Sequence, residues 1–363
     1  MHRLTIRAAF LAAVVVFVAL VTAAATHAVP PSDRYTVTPL VSDVPGVAPL
    51  TDPNLVNAWG LARSATSPWW VADNETMKTT VYNGSGALVS VGGLAFQTVP
   101  GNPTGAVFSG ISGQFQVGTT ASPTTLATSN FLFDSEDGTI SAWRGGSTGA
   151  LVTVDRSPFG AIYKGLAISN GPSGPRLYAT DFHNARVDVF NGGWQLVTAP
   201  GAFVDPKLPD GYAPFGIQTI GSRVFVTYGR QGEGADEVDA QGAGIVDAYD
   251  LDGAFLTRVA SHGLLNAPWG LAQAPADWGA FGGDLLVGNF GDGTVTVLKE
   301  NGNGTFALQG RLRNDHGQEL SIDGLWALQF GNAGANGTPS TLYFTAGPDD
   351  ESHGLFGTIT LPN

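Results

Sequence analysis

The chain reads as all-β, folded as a six-bladed β-propeller, and three observations support that reading. A short unit recurs six times: a Gly-apolar-apolar step, then an apolar strand ending near an acid or Asn, then a second apolar strand. Its first copy is Asn57-Ala58-Trp59-Gly60-Leu61-Ala62, Trp70-Val71-Ala72-Asp73-Asn74 and Thr80-Val81-Tyr82. Its fifth is Asn266-Ala267-Pro268-Trp269-Gly270-Leu271-Ala272, Leu285-Leu286-Val287-Gly288-Asn289 and Thr294-Val295-Thr296-Val297. The second observation is the period. Marker glycines at Gly60, Gly105, Gly165, Gly216, Gly270 and Gly324 are spaced 45, 60, 51, 54 and 54 residues apart. Units of this length with several short strands predict propeller blades. The third is punctuation by Asn83-Gly84, Asp137-Gly138, Asn191-Gly192, Asp252-Gly253, Asp292-Gly293 and Asn301-Gly302. These dipeptides supply the positive φ that tight hairpins need. Helical repeats would instead place apolar residues at i, i+3, i+4 and i+7.

Residues 1–28 form a different segment. Arg3 and Arg7 precede an apolar run over 8–25, and Thr26-His27-Ala28 ends in small residues. That layout predicts a secretory signal peptide cleaved after Ala28, with an uncleaved anchor as the alternative. Residues 29–363 are then one exported domain with no further apolar span, outside the membrane once the leader is removed.

Within that domain each unit should give a four-stranded blade. The last unit offers only three strands, near 325–330, 341–345 and 354–361, after which the chain ends. Residues 35–41 precede the first unit without belonging to it, so they are expected to complete the sixth blade and close the ring. Pro39 suits an outermost strand. Inner strands packed between neighbouring blades should be apolar on both faces, with glycine where the blades converge. Trp59 and Trp269 precede their marker glycines, and Phe215 takes that place in the fourth unit. The eight Trp read chiefly as core, with sugar stacking as the alternative for one or two.

The chain has no Cys, which excludes disulfides, thiol catalysis and Cys-based zinc sites. It carries 17 basic against 30 acidic residues, a net charge of −13. Such a surface repels nucleic acid and anionic lipid and suits cationic ligands or Ca²⁺. Four Lys and abundant Ala and Gly suggest a GC-rich bacterial genome.

In a propeller the inner strands start on one face, and the loops between second and third strands return to it. This top face should gather Asp73, Asn74 and Glu75; Asp134, Glu136 and Asp137; and Asp181, His183 and Asn184. It should also carry Asp236, Glu237 and Asp239; Asn289 and Asp292; and Asp349, Asp350, Glu351 and His353. Around the channel mouth should stand Asn57, Asn102, Tyr163, Lys164, Asn266 and Asp323. The candidate ligand-binding set is Asn57, Asn102, Lys164, Asp181, His183, Asn266, Asn289, Asp323 and His353. Oxygen donors are what Ca²⁺ takes, and Asn57, Asn102, Asn266 and Asp323 are the candidate ligands. Capping of turns by Asp and Asn is the alternative for each. The fourth unit holds the longest insertion, 229–244, with several glycines and acids; it reads as a lid over the mouth or as a solvated loop. No nucleophile elbow, His-Glu-x-x-His pair or phosphate loop occurs; His183 and His353 read as general bases or, more commonly for loop histidines, as solvated bystanders, so no catalytic residue is assigned.

Tyr178-Ala179-Thr180-Asp181-Phe182-His183-Asn184-Ala185-Arg186-Val187-Asp188-Val189-Phe190 and residues 244–252 resemble the repeats of NHL-type six-bladed propellers. Leu55-Val56-Asn57-Ala58-Trp59-Gly60-Leu61-Ala62, Ala267-Pro268-Trp269-Gly270-Leu271-Ala272 and Asp284-Leu285-Leu286-Val287-Gly288-Asn289-Phe290 resemble a family of exported bacterial propellers of unassigned function. The resemblance implies the fold and export and transfers no catalytic residue. Related propellers include Ca²⁺-dependent lactonases and lyases, but the lactonase set of a Glu with Asn and Asp ligands has no one-to-one counterpart here. Three readings stand open: a secreted binding propeller using its acidic top face for a small molecule, glycan or extracellular protein; a Ca²⁺-dependent hydrolase or lyase; and a structural envelope protein.

Overall fold

The computed structural model describes residues 32–234 and 236–362; the expected signal peptide, 1–28, lies outside them. Six sheets form the six blades of a β-propeller. From the axis outward, blade 1 comprises Ala58–Ala62, Trp69–Asp73, Lys78–Tyr82 and Phe96–Thr98. Blade 2 comprises Pro103–Phe108, Phe131–Ser135, Thr139–Trp143 and Leu151–Asp155. Blade 4 has Tyr212–Ile220, Arg223–Arg230, Gly244–Asp250 and Phe255–Ser261, and blade 5 has Pro268–Gln273, Leu285–Asn289, Val295–Glu300 and Phe306–Arg311.

Two blades depart from four strands. Blade 3 has three, Tyr163–Gly171, Gly174–Asp181 and Arg186–Asn191. Its outer edge is covered instead by the segment where Val197 N donates to Val189 O, and Val189 N donates to the Thr198 hydroxyl. Blade 6 has five. Leu325–Phe330, Leu342–Ala346 and Leu355–Thr360 are joined by Thr36–Ser42, which runs antiparallel to Leu355–Thr360, and by the short parallel strand Leu50–Thr51. The expected closure by the N-terminal strand is thus present, with a bulge between Pro39 and Val41. The long interval between Gly105 and Gly165 is filled by an added hairpin, Gln116–Thr119 with Ser122–Thr128.

Every inner strand carries a bulge in which two residues oppose one. The dipeptides are Trp59-Gly60, Thr104-Gly105, Lys164-Gly165, Phe215-Gly216, Trp269-Gly270 and Trp326-Ala327. A bulge leaves backbone groups unpaired and re-aims a side chain. The residue opposite supplies partners in several blades. Asp134 Oδ1 accepts from Gly105 N at 2.6 Å, the Thr227 hydroxyl accepts from Gly216 N at 2.8 Å, and the Thr345 hydroxyl accepts from Ala327 N at 3.1 Å. The glycine faces the next blade. A Cβ on Gly60 would meet Thr104 O, one on Gly165 would meet Phe215 O at 2.8 Å, and one on Gly270 would meet Trp326 O. Neighbouring inner strands therefore approach closely enough to exclude a side chain.

The sixth marker requires correction. Gly324 precedes its strand, at φ 63°, and Ala327 occupies the position equivalent to the other glycines. The apolar run Gly324-Leu325-Trp326 mimics the repeat three residues early, whereas the bulge register aligns Trp326 with Trp59, Phe215 and Trp269.

Those aligned residues turn to the axis and close it. Trp59 stacks on Trp326 with centroids 3.7 Å apart, Trp269 and Phe215 meet Trp326 edge-on at 5.9 Å, and Phe290 stacks on its other side at 3.9 Å. Beyond this plug Leu61, Leu166, Leu271 and Leu328 leave about 30 Å³ on the axis, near the size of one water. Among the described residues the propeller has two separate mouths and no open bore.

Candidate functional site

Above the aromatic plug, blade 3 contributes Lys164, the bulge residue at the place where blades 1, 4, 5 and 6 carry aromatic rings. Its side chain is almost fully buried, with Nζ 5.0 Å from the Trp59 ring centroid. It donates to Glu136 Oε1 at 2.6 Å. Burial works against this charge, but Glu136, Glu237 and Glu351 outweigh it and hold the ammonium above the usual lysine range.

Each glutamate comes from a different loop between second and third strands. Glu136 sits in the blade 2 turn, Glu237 in the blade 4 insertion and Glu351 in the blade 6 loop. Two amides from blade 1 orient them. Asn57 Nδ2 donates to Glu351 Oε2 at 2.5 Å and Asn74 Nδ2 to Glu136 Oε2 at 3.0 Å. Asn57 Oδ1 accepts from Trp326 Nε1 at 2.9 Å, linking site to plug. Asn57 has φ 46°, the left-handed region that Asn tolerates better than most residues.

The 229–244 insertion brings Glu237 to this cluster as a short irregular hairpin. Gln231 pairs with Glu237, Gly232 N donates to Asp236 O, and Gln231 Nε2 anchors on Phe182 O at 2.7 Å. Burial, with Glu351 and Asp239 nearby, pushes the Glu237 carboxyl up to about 8 against the pull of Lys164. Burial also raises Glu351, opposed by Lys164 and the Asn57 hydrogen bond. The folded state thus retains the Glu237 proton to about pH 8, while the unfolded chain releases it near 4.5. A group that binds protons more tightly in the folded state makes stability fall as pH rises between those values. Glu237→Gln should therefore flatten the decline of melting temperature between pH 5 and 8 and stabilise the protein at pH 8. An unchanged slope would refute this. Asp134, also raised by burial to about 7, contributes a decline of the same sign that the substitution leaves in place.

The other sequence candidates lie in separate settings. Asp181 is buried and caps the blade 3 turn, accepting from Asn184 N and Ile162 N at 3.2 Å and pairing with Arg186 at 3.3 Å. Asn289 is also buried and satisfied: it accepts from Asn266 N at 3.0 Å and donates to the Thr294 and Thr296 hydroxyls. Asp181 caps its turn, whereas Asn289 ties its strand to the preceding loop at 264–266. Asn102 is half-buried, its carbonyl accepting from Glu136 N, and Asp323 is exposed, accepting from Asp349 N at 2.9 Å. Asn266 is buried with Oδ1 unpartnered, and a Cβ on Gly291 would meet both that oxygen and Asp239 Oδ1. His183 is exposed. His353 is bonded to Asp43 at 2.8 Å, which raises its pKa. No hydrogen bond joins Asn57, Asn102, Asn266 and Asp323 to one another, and no group of three acids or histidines placed to hold a metal occurs among the described residues. Glu136, Glu237 and Glu351 were placed on the top face by topology, but sequence periodicity is silent on which loop residues turn inward.

A closed-axis six-bladed propeller with a charged cluster over one mouth defines the class of the protein. The chain belongs to a family with two uncharacterised proteins of Acanthamoeba polyphaga mimivirus, R648 and L690. It is 30% identical to each over 334 residues, which cover 88% of this chain and 78% and 84% of theirs. These relatives are viral, so a bacterial affiliation is not carried forward. No protein-family model matches the chain. Among solved structures it is similar in fold to a glucose dehydrogenase (TM-score 0.55, 12% identity, covering 90% of this chain and 100% of that one). It is likewise similar to a protein of unknown function from Bacteroides thetaiotaomicron (0.53, 12%, 90% and 76%) and to the PQQ-bound aldose sugar dehydrogenase of Streptomyces coelicolor (0.50, 15%, 91% and 99%). At these identities the likeness is of fold alone.

Proposed function

We propose that the protein is an exported binding propeller whose acidic top mouth takes a cationic ligand. The observation that carries this reading is the convergence of Glu136, Glu237 and Glu351 on the single buried ammonium of Lys164. Carboxylates outnumber the cation there, and Asp236, Asp239, Asp292 and Asp350 add negative charge around them. A second cation would relieve that excess. Glu237 must lose its proton to pair with the newcomer, so binding should release protons below about pH 8 and tighten as pH rises toward that value.

Calorimetric titration with spermidine and with Ca²⁺, in buffers of different ionisation enthalpy, tests the reading. Expected are one-to-one binding, proton release at pH 7, and a loss of about tenfold in affinity on Glu351→Gln, the size of a charge-assisted contact. Absence of binding by both cations would refute it. The Ca²⁺ alternative is favoured by one feature, the unpartnered Asn266 Oδ1 beside Asp239. It predicts that Ca²⁺ binds tightly where spermidine does not, that Asn266→Ala removes binding, and that ester or lactone hydrolysis depends on the metal.

A further inference from the structure

At the opposite mouth, beyond the leucine collar, the ends of the inner strands enclose a cavity of about 330 Å³. Its polar lining is Arg63, Ser64, Gln218, Thr219, Gln329 and Asn332, with no carboxylate. Arg63 is half-buried. Its Nε donates to Phe330 O at 2.9 Å and its guanidinium lies 5.4 Å from the Trp69 ring centroid, while its two terminal nitrogens have no protein acceptor among the described residues. Unlike Arg223, which pairs with Glu300, and Arg311, which pairs with Asp292, Arg63 has no carboxylate partner among the described residues. Burial pushes its pKa below the ordinary arginine value yet leaves it charged.

Three buried polar atoms in the same lining lack partners: Thr219 Oγ1, Gln329 Oε1 and Asn332 Oδ1. Amide oxygens only accept, so what satisfies Gln329 and Asn332 must donate. Orphaned buried groups of this kind are rare and costly. The required complement has an anionic end for the guanidinium fork and hydroxyl donors for the amide oxygens.

We propose that this mouth is a binding site for a small polyhydroxylated carboxylate, a sugar acid. The carboxylate accepts from the Arg63 terminal nitrogens, and ligand hydroxyls donate to Gln329 Oε1 and Asn332 Oδ1. The cavity volume matches the lower range of small-molecule sites. The site is independent of the cationic top mouth, from which the plug and collar separate it.

The test is titration of the protein with D-glucuronate, followed by calorimetry, beside D-glucose, succinate and inorganic phosphate. Expected is saturable one-to-one glucuronate binding, at least about tenfold tighter than glucose or succinate, since each lacks half of the complement. Arg63→Gln should weaken it about tenfold or more. Thr219→Val, which removes a hydroxyl that bonds to no protein atom, should weaken it measurably while the melting temperature holds. Glu237→Gln, at the other mouth, should leave it unchanged. No glucuronate binding, equal binding of succinate or phosphate, or binding insensitive to both cavity variants would overturn the proposal.

Discussion

Trp326→Ala should destabilise the protein by about 3–5 kcal/mol, the range for emptying a buried tryptophan site. Trp326 is fully buried and stacked between Trp59 and Phe290. It also touches Phe215 and Trp269 edge-on, so its removal opens a void where four blades meet. Partial collapse is hindered because the inner strands are already in backbone contact through their glycines. At about 2.1 cal/mol/K of unfolding entropy per residue, the loss corresponds to a melting point roughly 4–7 °C lower. Asn57 Oδ1 also loses its indole donor, so the variant should bind the proposed cationic ligand more weakly. Denaturant unfolding of the variant checks the first effect. A change below 1 kcal/mol would show that the plug is not what consolidates the axis.

Lys164→Met should cost a similar amount, about 3–5 kcal/mol, the usual penalty for removing one partner of a buried charge group. Methionine fits the volume but leaves Glu136, Glu237 and Glu351 facing one another without their cation. The sign of the pH effect follows. The lysine pKa is raised in the fold, so its stabilisation is complete below the ordinary lysine value and fades only at alkaline pH. Without it the glutamates hold their protons to higher pH, which shifts stability further toward acid. The variant should therefore be closest to the parent at pH 5 and furthest from it near pH 9. Equal stability at pH 8 would show that Lys164 does not hold the three glutamates together.

The fold was legible because each blade repeats the same physical problem. Hairpin glycines, the Trp-Gly step and the unclaimed strand near Thr36 together required a closed ring. The sixth register was misread because Gly324-Leu325-Trp326 has the composition of the repeat, and only pairing of Leu325 with Ala346 and of Leu328 with Phe344 shows which residue is bulged. The site was legible at the level of a face. Lys164 and Asn57 were singled out and lie at its centre, whereas Asp181 caps its own turn and Asn289 ties its strand to the loop at 264–266. The three glutamates sit in loops, where no period of 2 or 3.6 reveals orientation. Neither was there any pattern to reveal the Arg63 cavity, whose lining comes from five inner strands and the loops that follow two of them.

Closure of blade 6 sets an order on the life of the chain. The strand Thr36–Ser42 is made long before its partner Leu355–Thr360. Until then the early strand has no edge to pair with and is itself a template for the wrong partner. Pro39, without an amide donor, and the bulge beside it blunt that template. The same features that suit the strand to the outer part of its blade thus guard the nascent chain until its partner strand is made.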